Sequence, residues 1–211
     1  MRTLKRGVLV SFEGIDGAGK STLITLLSEY LYQDQIDHLK TKEPGGNALG
    51  RQLKNMLHAD TLSLCSKAEY LLFAADRAQH MHEVVLPALA RHTLVLSDRM
   101  ADSSLAYQGY GRGLNTEIIQ SINNWAMNDH TPDIVFFIRV PVTVALARIA
   151  TRGTLSSFEQ EVHFLEAVEK GFTILFSQKK NVIHIDGTES PNTVAQNIYN
   201  HLKDWLCQNN L

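Results

Sequence analysis

The chain has 211 residues, a formal net charge of −2 at pH 7 and 44% hydrophobic residues. This length is ordinary for one domain whose core needs no disulfide or metal, and we expect a single domain over residues 1–211. The near-neutral charge excludes a global basic field, so we expect neither nucleic acid nor a membrane surface as a partner and leave small charged ligands open.

The two cysteines, Cys65 and Cys207, lie far apart and outside any C-x-x-C pattern, which argues against a disulfide framework or a thiolate metal site. Such thiols fit a reducing cytoplasm, where we expect the protein. The first apolar run follows basic residues but stops at Glu13 without a small-residue cleavage site, so we interpret it as a strand. No later apolar run approaches the length of a membrane span.

A phosphate-binding pattern lies near the N-terminus, where residues 8–27 read VLVSFEGIDGAGKSTLITLL. The apolar run from Val8 to Phe12 contains β-branched residues and predicts a strand buried in a parallel sheet. Apolar residues then recur at helical spacing from Leu23 to Leu31. Between the strand and the helix, the pattern G-x-x-x-x-G-K-[ST] is fulfilled by Gly14, Gly19, Lys20 and Ser21.

This loop predicts a polyphosphate site. Its glycines let backbone N–H groups point into one concavity, and the helix start adds a positive dipole end of about half a charge. We expect Lys20 to reach the β- and γ-phosphates and the Ser21 hydroxyl to ligate Mg²⁺. The alternative is a glycine turn that merely caps a helix, which the flanking strand and helix oppose.

The segment after the first helix predicts a strand, a turn and two further helices. The strand lies at residues 38–41 and leads into a turn with proline and glycine at residues 43–46, after which Asn47 caps a helix. Ser66 and Glu69 fit a capping box, which predicts that a second helix begins there and runs to about residue 82.

Two histidines near the end of that helix, His80 and His82, are separated by a single residue. That spacing points them to different sides of the helix, which argues against a shared metal site. We therefore expect both histidines at the surface.

A further apolar run, Thr93–Ser97, predicts a strand that delivers Asp98 and Arg99 at its carboxyl end. In parallel sheets that end is where ligands bind. Asp98 suits an aspartate that holds Mg²⁺ directly or through water, and Arg99 is able to fork onto a phosphate. A strand-end salt bridge or cap is the alternative for this pair.

Helices and strands alternate in the rest of the chain. A glycine-rich link at residues 109–113 precedes a helix that begins at Asn115 or Thr116 and runs through Trp125. Beyond it we predict a strand at 133–138, a helix at 142–149, a mobile flap at 150–158, a helix at 159–179, a strand at 182–185 and a helix from 191 to 206. This alternation predicts an α/β fold with a parallel sheet.

Five segments, in this order along the chain, together resemble the bacterial thymidylate kinase family. They are FEGIDGAGKST at 12–22, TKEPGGN at 41–47, LLFAADRAQH at 71–80, SDRMADSSLAYQG at 97–109 and RGTLSSFEQE at 152–161. The resemblance implies a three-layer P-loop nucleoside monophosphate kinase fold, a five-stranded parallel sheet with a short lid at about 150–158. It also implies the reaction ATP + dTMP → ADP + dTDP with Mg²⁺, which supplies dTTP synthesis, and usually a homodimer.

The resemblance implies roles for residues on the donor side. Arg148 is expected to lie along adenine, and Glu159 is a further candidate near the metal that would otherwise cap the following helix. The implied catalytic residues are Lys20, Asp98, Arg99 and Arg152, and the implied metal ligands are Ser21 and Asp98. The implied ATP-binding set is Gly14, Ile15, Asp16, Gly17, Ala18, Gly19, Lys20, Ser21, Thr22 and Arg148.

On the acceptor side, the resemblance gives Asp16 and Arg99 to the sugar and phosphate, and Phe73 to stacking on thymine. Arg77 is expected at a base carbonyl, and Tyr107 would crowd the 2′ position. A core aromatic at position 73 and a plain turn at Glu43-Pro44 remain the alternatives. The implied dTMP-binding set is Asp16, Glu43, Pro44, Phe73, Arg77, Arg99, Ser103, Ser104, Tyr107 and Gln108.

The sequence departs from the family pattern in two segments. The usual Asp-Arg-Tyr or Asp-Arg-His reads Asp98-Arg99-Met100, which places a soft apolar side chain near the acceptor. Some members of the family have an arginine in the phosphate loop, whereas others have a pair such as Gly17-Ala18 and use a basic lid. In this chain the common Asp-Arg pair of that lid reads Ser156-Ser157. Arg152 is then the remaining lid cation, unless it is a solvated helix end.

Three other functions remain open from the sequence. A kinase for another nucleotide or deoxynucleoside would keep the same phosphate loop. A GTPase-like switch would share the loop but lacks an N-K-x-D guanine signature. A weakly active nucleotide-binding regulator is suggested by the two lid serines.

Overall fold

The computed structural model describes residues 3–57, 63–151 and 162–211. In this part of the chain, five parallel strands form one sheet in the order β2-β3-β1-β4-β5. The strands are β1 (Val8–Glu13), β2 (His38–Lys42), β3 (Leu94–Asp98), β4 (Ile134–Arg139) and β5 (Val182–Asp186).

Helices connect the strands and cover the sheet. They are α1 (Lys20–Gln33), α2 (Ala48–Leu57), α3 (Ser66–His80), α4 (Leu86–Ala90), α5 (Ala101–Ser104), α6 (Thr116–Ala126), α7 (Val142–Ala150), α8 (Val162–Phe176) and α9 (Pro191–Gln208). Two π-helical turns, Met81–Val85 and Leu105–Gly111, extend α3 and α5.

The central strands are apolar on both faces because helices pack on both sides of them. Val8, Val10 and Phe12 of β1 belong to a large apolar cluster that includes residues of α1, α8 and α9. Leu9, which points the opposite way, belongs to a second cluster with Val95 and with residues of α4 and the first π-helical turn. The predicted three-layer α/β fold with a five-stranded parallel sheet is therefore confirmed.

The capping box predicted at Ser66 is wrong. The N-cap of α3 is Cys65, without a side-chain cap, and Ser66 is already the first helical residue. Glu69 is buried and its carboxylate accepts a hydrogen bond of 2.8 Å from Gln108 Nε2. The Glu69 side chain, which the local sequence pattern predicted to cap the helix, therefore makes a tertiary hydrogen bond instead.

The glycine-rich link predicted at residues 109–113 is largely helical, since the second π-helical turn runs to Gly111. A Cβ atom at Gly111 would lie 2.6 Å from a ring carbon of Phe164 on α8, so this glycine permits close packing of α8. Similarly, the helix predicted to end near residue 82 continues through the first π-helical turn to α4.

The predicted lid falls almost entirely outside the described residues, as do Arg152, Ser156, Ser157 and Glu159. On its two sides, α7 ends at Ala150 and α8 begins at Val162.

Among the helices of the described ranges, none pairs the length with the hydropathy that spanning a bilayer would require.

Candidate active site

A cavity of about 350 Å³ opens at the carboxyl ends of β1, β2 and β3. Every residue predicted from the resemblance to bind the acceptor lies in its wall. The three strands run parallel, so their carboxyl ends meet at one edge of the sheet and bring together the segments that follow them. Phe73 and Arg77 are added by α3. The predicted residues in the wall are Asp16, Gly17, Gly19, Lys20, Ser21, Thr22, Glu43, Pro44, Phe73, Arg77, Asp98, Arg99, Ser103, Ser104, Tyr107 and Gln108.

The phosphate loop joins β1 directly to α1. Gly17 has a φ of 79°, and a Cβ atom there would lie 2.4 Å from the carbonyl oxygen of Ala145, so both backbone angle and space require glycine. Gly19 is the N-cap of α1 with a φ of 98° and contributes no side chain to the first turn. The first N–H groups of α1 are therefore suited to an anion.

Lys20 is folded back over this loop. Its Nζ donates to the carbonyl oxygens of Gly14, at 3.0 Å, and Ile15, at 2.9 Å. Burial, with the nearby charge of Arg99, lowers the pKa of Lys20 to about 8. The Lys20 ammonium is thus poorly hydrated beside the loop. A charged phosphate oxygen would accept a stronger hydrogen bond from it than a carbonyl oxygen does.

Ser21 and Asp98 meet across the cavity floor, where Ser21 Oγ donates to Asp98 Oδ2 at 2.5 Å. A hydroxyl and a single carboxylate are hard oxygen ligands, and Mg²⁺ in nucleotide sites takes one or two of these with waters and phosphates. The described residues contain no cluster of three or more His, Cys, Asp or Glu side chains suited to a metal. The oxygens of Ser21 and Asp98 thus fit a Mg²⁺ that is also held by nucleotide phosphates.

Asp16, Arg99 and Tyr107 form one hydrogen-bonded group beside the phosphate loop. Arg99 Nη2 pairs with Asp16 Oδ1, and the Tyr107 hydroxyl donates to Asp16 Oδ2 at 2.8 Å. The backbone N–H of Asp16 donates to the same hydroxyl at 2.9 Å. Burial alone would raise the pKa of Asp16, but the charges of Arg99 and Lys20 lower it to about 2. Asp16 is therefore an anion at neutral pH.

The backbone of Arg99 adopts a φ of 74°, a left-handed conformation that few non-glycine residues take. Its N–H donates to Phe12 O at 3.1 Å, and its carbonyl accepts from Ser97 Oγ at 2.8 Å. The other guanidinium nitrogen, Nη1, donates to Gly14 O and Ser103 Oγ, both at 3.0 Å. These contacts direct a fixed cation toward the cavity.

At the far end of the cavity, Arg77 is 2% exposed and is held from several sides. Its Nε donates to Glu43 Oε2 at 2.9 Å, and Nη1 donates to Asn123 Oδ1 at 2.7 Å. Its Nη2 donates to Ser104 Oγ at 3.1 Å and to Met100 O at 3.2 Å. The guanidinium plane is therefore fixed before any ligand binds.

The surface location predicted for His80 is wrong, because this residue is fully buried behind Glu43. His80 Nδ1 lies 3.0 Å from Glu43 Oε1, and its Nε2 lies 2.6 Å from Thr41 Oγ1. Burial alone would raise the pKa of Glu43, but the charge of Arg77 and the hydrogen bond from His80 hold it below its usual range. His82, in contrast, is exposed as expected.

Met100 lines the cavity, in agreement with the apolar contact that the sequence suggested there. The side chain is fully buried in the apolar cluster with Leu9, Val95 and Met81. The backbone of Met100 also serves the site, since its carbonyl accepts from Arg77 and its N–H donates to Glu13 Oε1 at 2.8 Å.

Four residues of the predicted ATP set do not line this cavity. Ile15 and Ala18 are buried in the large apolar cluster and support the loop from behind, as Gly14 does through its carbonyl. Arg148 lies on the other side of the loop, where its Nη2 donates to Gly187 O at 2.9 Å. Arg148 is therefore outside the cavity that most of the phosphate loop lines.

Sequence reasoning missed four residues that belong to the cavity or its support. Lys42, Lys54 and Leu57 line the wall, and Glu13 lies buried directly behind it. Lys42 immediately precedes the predicted turn at the end of β2, so its position at a strand's carboxyl end was an available signal. Lys54 and Leu57 lie three residues apart on α2, one turn along the same face.

Comparison with known proteins agrees with this geometry. The family profile described as Thymidylate kinase matches residues 12–198. The thymidylate kinase of Desulfovibrio desulfuricans is 43% identical over 198 residues, covering 89% of this chain and 91% of that protein. The thymidylate kinase of Kosmotoga olearia is 39% identical over 193 residues, covering 90% and 93% respectively. That of Acinetobacter baylyi is 38% identical over 202 residues, covering 93% and 98%. With its phosphate loop and these matches along most of its length, the chain belongs to the thymidylate kinase family.

Proposed function

We propose that this protein transfers the γ-phosphoryl group of ATP to dTMP, giving ADP and dTDP for dTTP synthesis. One observation carries the proposal: the phosphate loop and the acceptor cavity share Asp16, whose carboxylate pairs with Arg99. Donor and acceptor phosphates bound at Lys20 and Arg99 would therefore meet across a single loop. Such positioning is the main contribution that a protein makes to phosphoryl transfer.

On the donor side, the N–H groups of the loop and the Lys20 ammonium would hold the β- and γ-phosphates. Ser21 and Asp98 would hold Mg²⁺, which would neutralise charge on the phosphate oxygens. We propose that Arg148 lies along adenine, supported by its fixed place between the loop and Gly187.

On the acceptor side, Arg99 would bind the dTMP phosphate and Asp16 would accept from the 3′-hydroxyl. A phosphate monoester has a second pKa of about 6, so its attacking oxygen is already ionised at neutral pH and needs no general base. Tyr107, held by Asp16 and by Arg99 Nη2 at 3.0 Å, would fill the space of a 2′-hydroxyl. Deoxyribose is therefore the sugar that fits.

Thymine would bind between Phe73 and the fixed Arg77. Phe73 is half-buried on α3 and lies four residues before Arg77, so both side chains are on the same helix face. The ring face of Phe73 would stack on the base, and Arg77 would donate to a base carbonyl. Gln108 and Ser104 complete this end of the wall.

The lid is expected to supply a further cation, because the phosphate loop has no arginine. Arg152 lies outside the described residues, and we propose it for this role. Arg152→Ala should lower kcat at least tenfold, about 1.4 kcal/mol in the barrier, with a smaller change in the KM for dTMP. Steady-state kinetics check this against Arg91→Ala, which changes an exposed arginine far from the cavity; an unchanged kcat in Arg152→Ala would remove Arg152 from the mechanism.

We propose a homodimer, in keeping with the family resemblance. An exposed apolar face supports it: Trp125 and Ile118, seven residues apart on α6, are 81% and 59% exposed, and Leu71 on α3 is 53% exposed. The two helices pack together, since the Tyr70 hydroxyl of α3 donates to Ile119 O of α6 at 2.9 Å. A second copy of the chain would cover this face.

Light scattering tests the dimer. The wild type should have twice the 23.6 kDa mass of the chain, and Trp125→Glu should shift it toward the monomer because a charge would be buried in the interface. Glu117→Gln, on the exposed surface of the same helix, is the matched control. A wild-type mass of one chain at micromolar concentration would contradict the proposal.

We further propose that residues 1–211 act as one domain in a reducing cytoplasm. Both cysteines support this location, since Cys65 and Cys207 are free and exposed. Exposed thiols remain reduced where glutathione and thioredoxin operate.

A coupled ADP assay with ATP, Mg²⁺ and a panel of acceptors tests the proposed function. We expect dTMP to drive ADP formation with a kcat/KM at least tenfold above dUMP, UMP, AMP and thymidine. Preference for another acceptor would indicate a different nucleotide kinase. Hydrolysis of GTP without an acceptor would indicate a switch, and nucleotide binding without turnover would indicate a regulator.

A further inference from the structure

Glu13, the last residue of β1, is fully buried directly before the phosphate loop. Its Oε1 accepts from the N–H of Met100 at 2.8 Å, and its Oε2 lies 2.5 Å from Ser103 Oγ. Both contacts are to neutral groups of the segment that follows β3. Glu13 therefore joins the strand that precedes the phosphate loop to the segment that follows Arg99.

The charged groups around Glu13 are all engaged elsewhere. Arg99 pairs with Asp16, and Lys20 donates to loop carbonyls. Asp102 on α5 pairs with Lys179 at 2.5 Å. Burial, followed by the negative charge of Asp102, raises the pKa of Glu13 to about 8, despite opposing effects of Ser103, Arg99 and the Met100 N–H. At pH 7 the Glu13 side chain is therefore a neutral acid.

The two groups that Glu13 contacts both adjoin Arg99, one through the main chain and one through the side chain. Met100 is the next residue in the chain and the N-cap of α5, so fixing its N–H stabilises the left-handed backbone of Arg99. Ser103 Oγ accepts from Arg99 Nη1 at 3.0 Å, so fixing the hydroxyl orients the guanidinium. One carboxyl group thus restrains both the main chain and the side chain of Arg99.

We propose that Glu13 is a positioning residue for the acceptor phosphate, acting through Met100 and Ser103 on Arg99. The proposal rests on the acceptor role assigned above to Arg99. As a neutral acid, Glu13 supports Arg99 without competing for its charge and without repelling a phosphate dianion. An ionised Glu13 would place a buried negative charge behind the site and weaken acceptor binding.

The first test separates positioning from general support of the fold. Glu13→Ala should raise the KM for dTMP at least tenfold and leave the KM for ATP within about threefold, because Arg99 serves the acceptor. Glu13→Gln should restore the KM for dTMP at pH 7 to within about threefold of wild type, since an amide accepts from Met100 N and donates to Ser103 Oγ. Equal losses for both substrates, or no rescue by Gln, would overturn the proposal; melting curves establish that each variant is folded.

The second test uses pH. Calorimetric binding of dTMP without ATP should weaken in the wild type as pH rises through about 8, the pKa of Glu13. Glu13→Gln should lack this loss. Asp102→Asn should move it to lower pH, because the charge of Asp102 raises the pKa of Glu13. Lys20 also has its pKa lowered to about 8 but is present in all three proteins, so a loss that persists in Glu13→Gln would belong to Lys20 and overturn the proposal.

Failure of this inference is distinguishable from failure of the proposed function. If the wild type does not phosphorylate dTMP, the function itself is wrong. If the wild type is active but Arg99→Gln leaves the KM for dTMP unchanged, both the acceptor role of Arg99 and the inference about Glu13 are wrong. If Arg99→Gln raises that KM while Glu13→Ala does not, only the inference is wrong.

Discussion

Lys20→Ala should abolish nearly all turnover, with kcat at least ~10³-fold below wild type, which corresponds to about 4 kcal/mol in the barrier. The Lys20 ammonium stabilises the negative charge on the β- and γ-phosphate oxygens during transfer of the phosphoryl group. Its position at two loop carbonyls and its burial mean that little solvent would screen it. Single-turnover kinetics with saturating ATP and dTMP measure this loss free of binding effects.

The control for Lys20→Ala is Lys5→Ala, which removes an exposed lysine outside the cavity and should keep wild-type turnover. A melting curve of Lys20→Ala separates lost chemistry from lost folding, because the variant leaves two loop carbonyls without their lysine donor. If a folded Lys20→Ala retained more than a tenth of the turnover, the assignment of the phosphate loop would be wrong.

Arg99→Gln should lower kcat/KM for dTMP by ~10²–10³, or about 3–4 kcal/mol, while the KM for ATP changes less than threefold. The substitution removes the proposed cation of the acceptor phosphate. It also leaves the Asp16 carboxylate, half of a partly buried ion pair, facing an incoming phosphate. The lost cation and the unpaired carboxylate therefore both weaken dTMP binding.

The pH dependence of Arg99→Gln follows from the same pair. In the wild type, Arg99 and Lys20 hold the pKa of Asp16 at about 2, so Asp16 stays ionised across the working range. Without Arg99 the pKa of Asp16 should rise, so the dTMP affinity of Arg99→Gln should recover partly, relative to that of Arg91→Gln, as the pH is lowered toward 5. The comparison between the two variants removes the effect of protonating the dTMP phosphate, whose second pKa is about 6. Calorimetry from pH 5 to 8 tests this, with Arg91→Gln as the exposed control; dTMP affinity equal to wild type at pH 7 would contradict the acceptor assignment.

Much of the fold could be predicted because its signals are local. The strand of Val8–Phe12 is a continuous apolar run, and a strand covered on both faces by helices has to read that way. The phosphate loop was recognisable because glycine is required at fixed positions, as the φ of 79° at Gly17 and its closeness to Ala145 illustrate. Features that depend on the local backbone conformation can therefore be predicted from the residue types at those positions.

Features that depend on tertiary contacts could not be predicted. Glu69 has the spacing of a capping residue, yet Gln108, distant in sequence, determines its hydrogen bond. His80 looks like one of several surface histidines, and only the approach of Glu43 and Thr41 explains its burial. Such partners are brought together by strand order, which periodicity does not reveal.

Glu13 shows the same limit within the site. In the sequence it is only the charge at which an apolar run stops. In the structure it is fully buried, because the segment after β3 crosses over the end of β1 and supplies Met100 N–H and Ser103 Oγ. Neither partner has a spacing that would link it to Glu13. For the acceptor residues, likewise, the family resemblance and not the residue pattern provided the prediction.

The most direct measurement is transfer of label from γ-³²P ATP, with Mg²⁺ and purified protein, to an added nucleoside monophosphate, followed by chromatographic separation of the products. With dTMP, the label should appear in the β-phosphate of dTDP, with one ADP formed for each dTDP. Label released only as inorganic phosphate, or transferred to another monophosphate in preference to dTMP, would contradict the assignment of this cavity to dTMP.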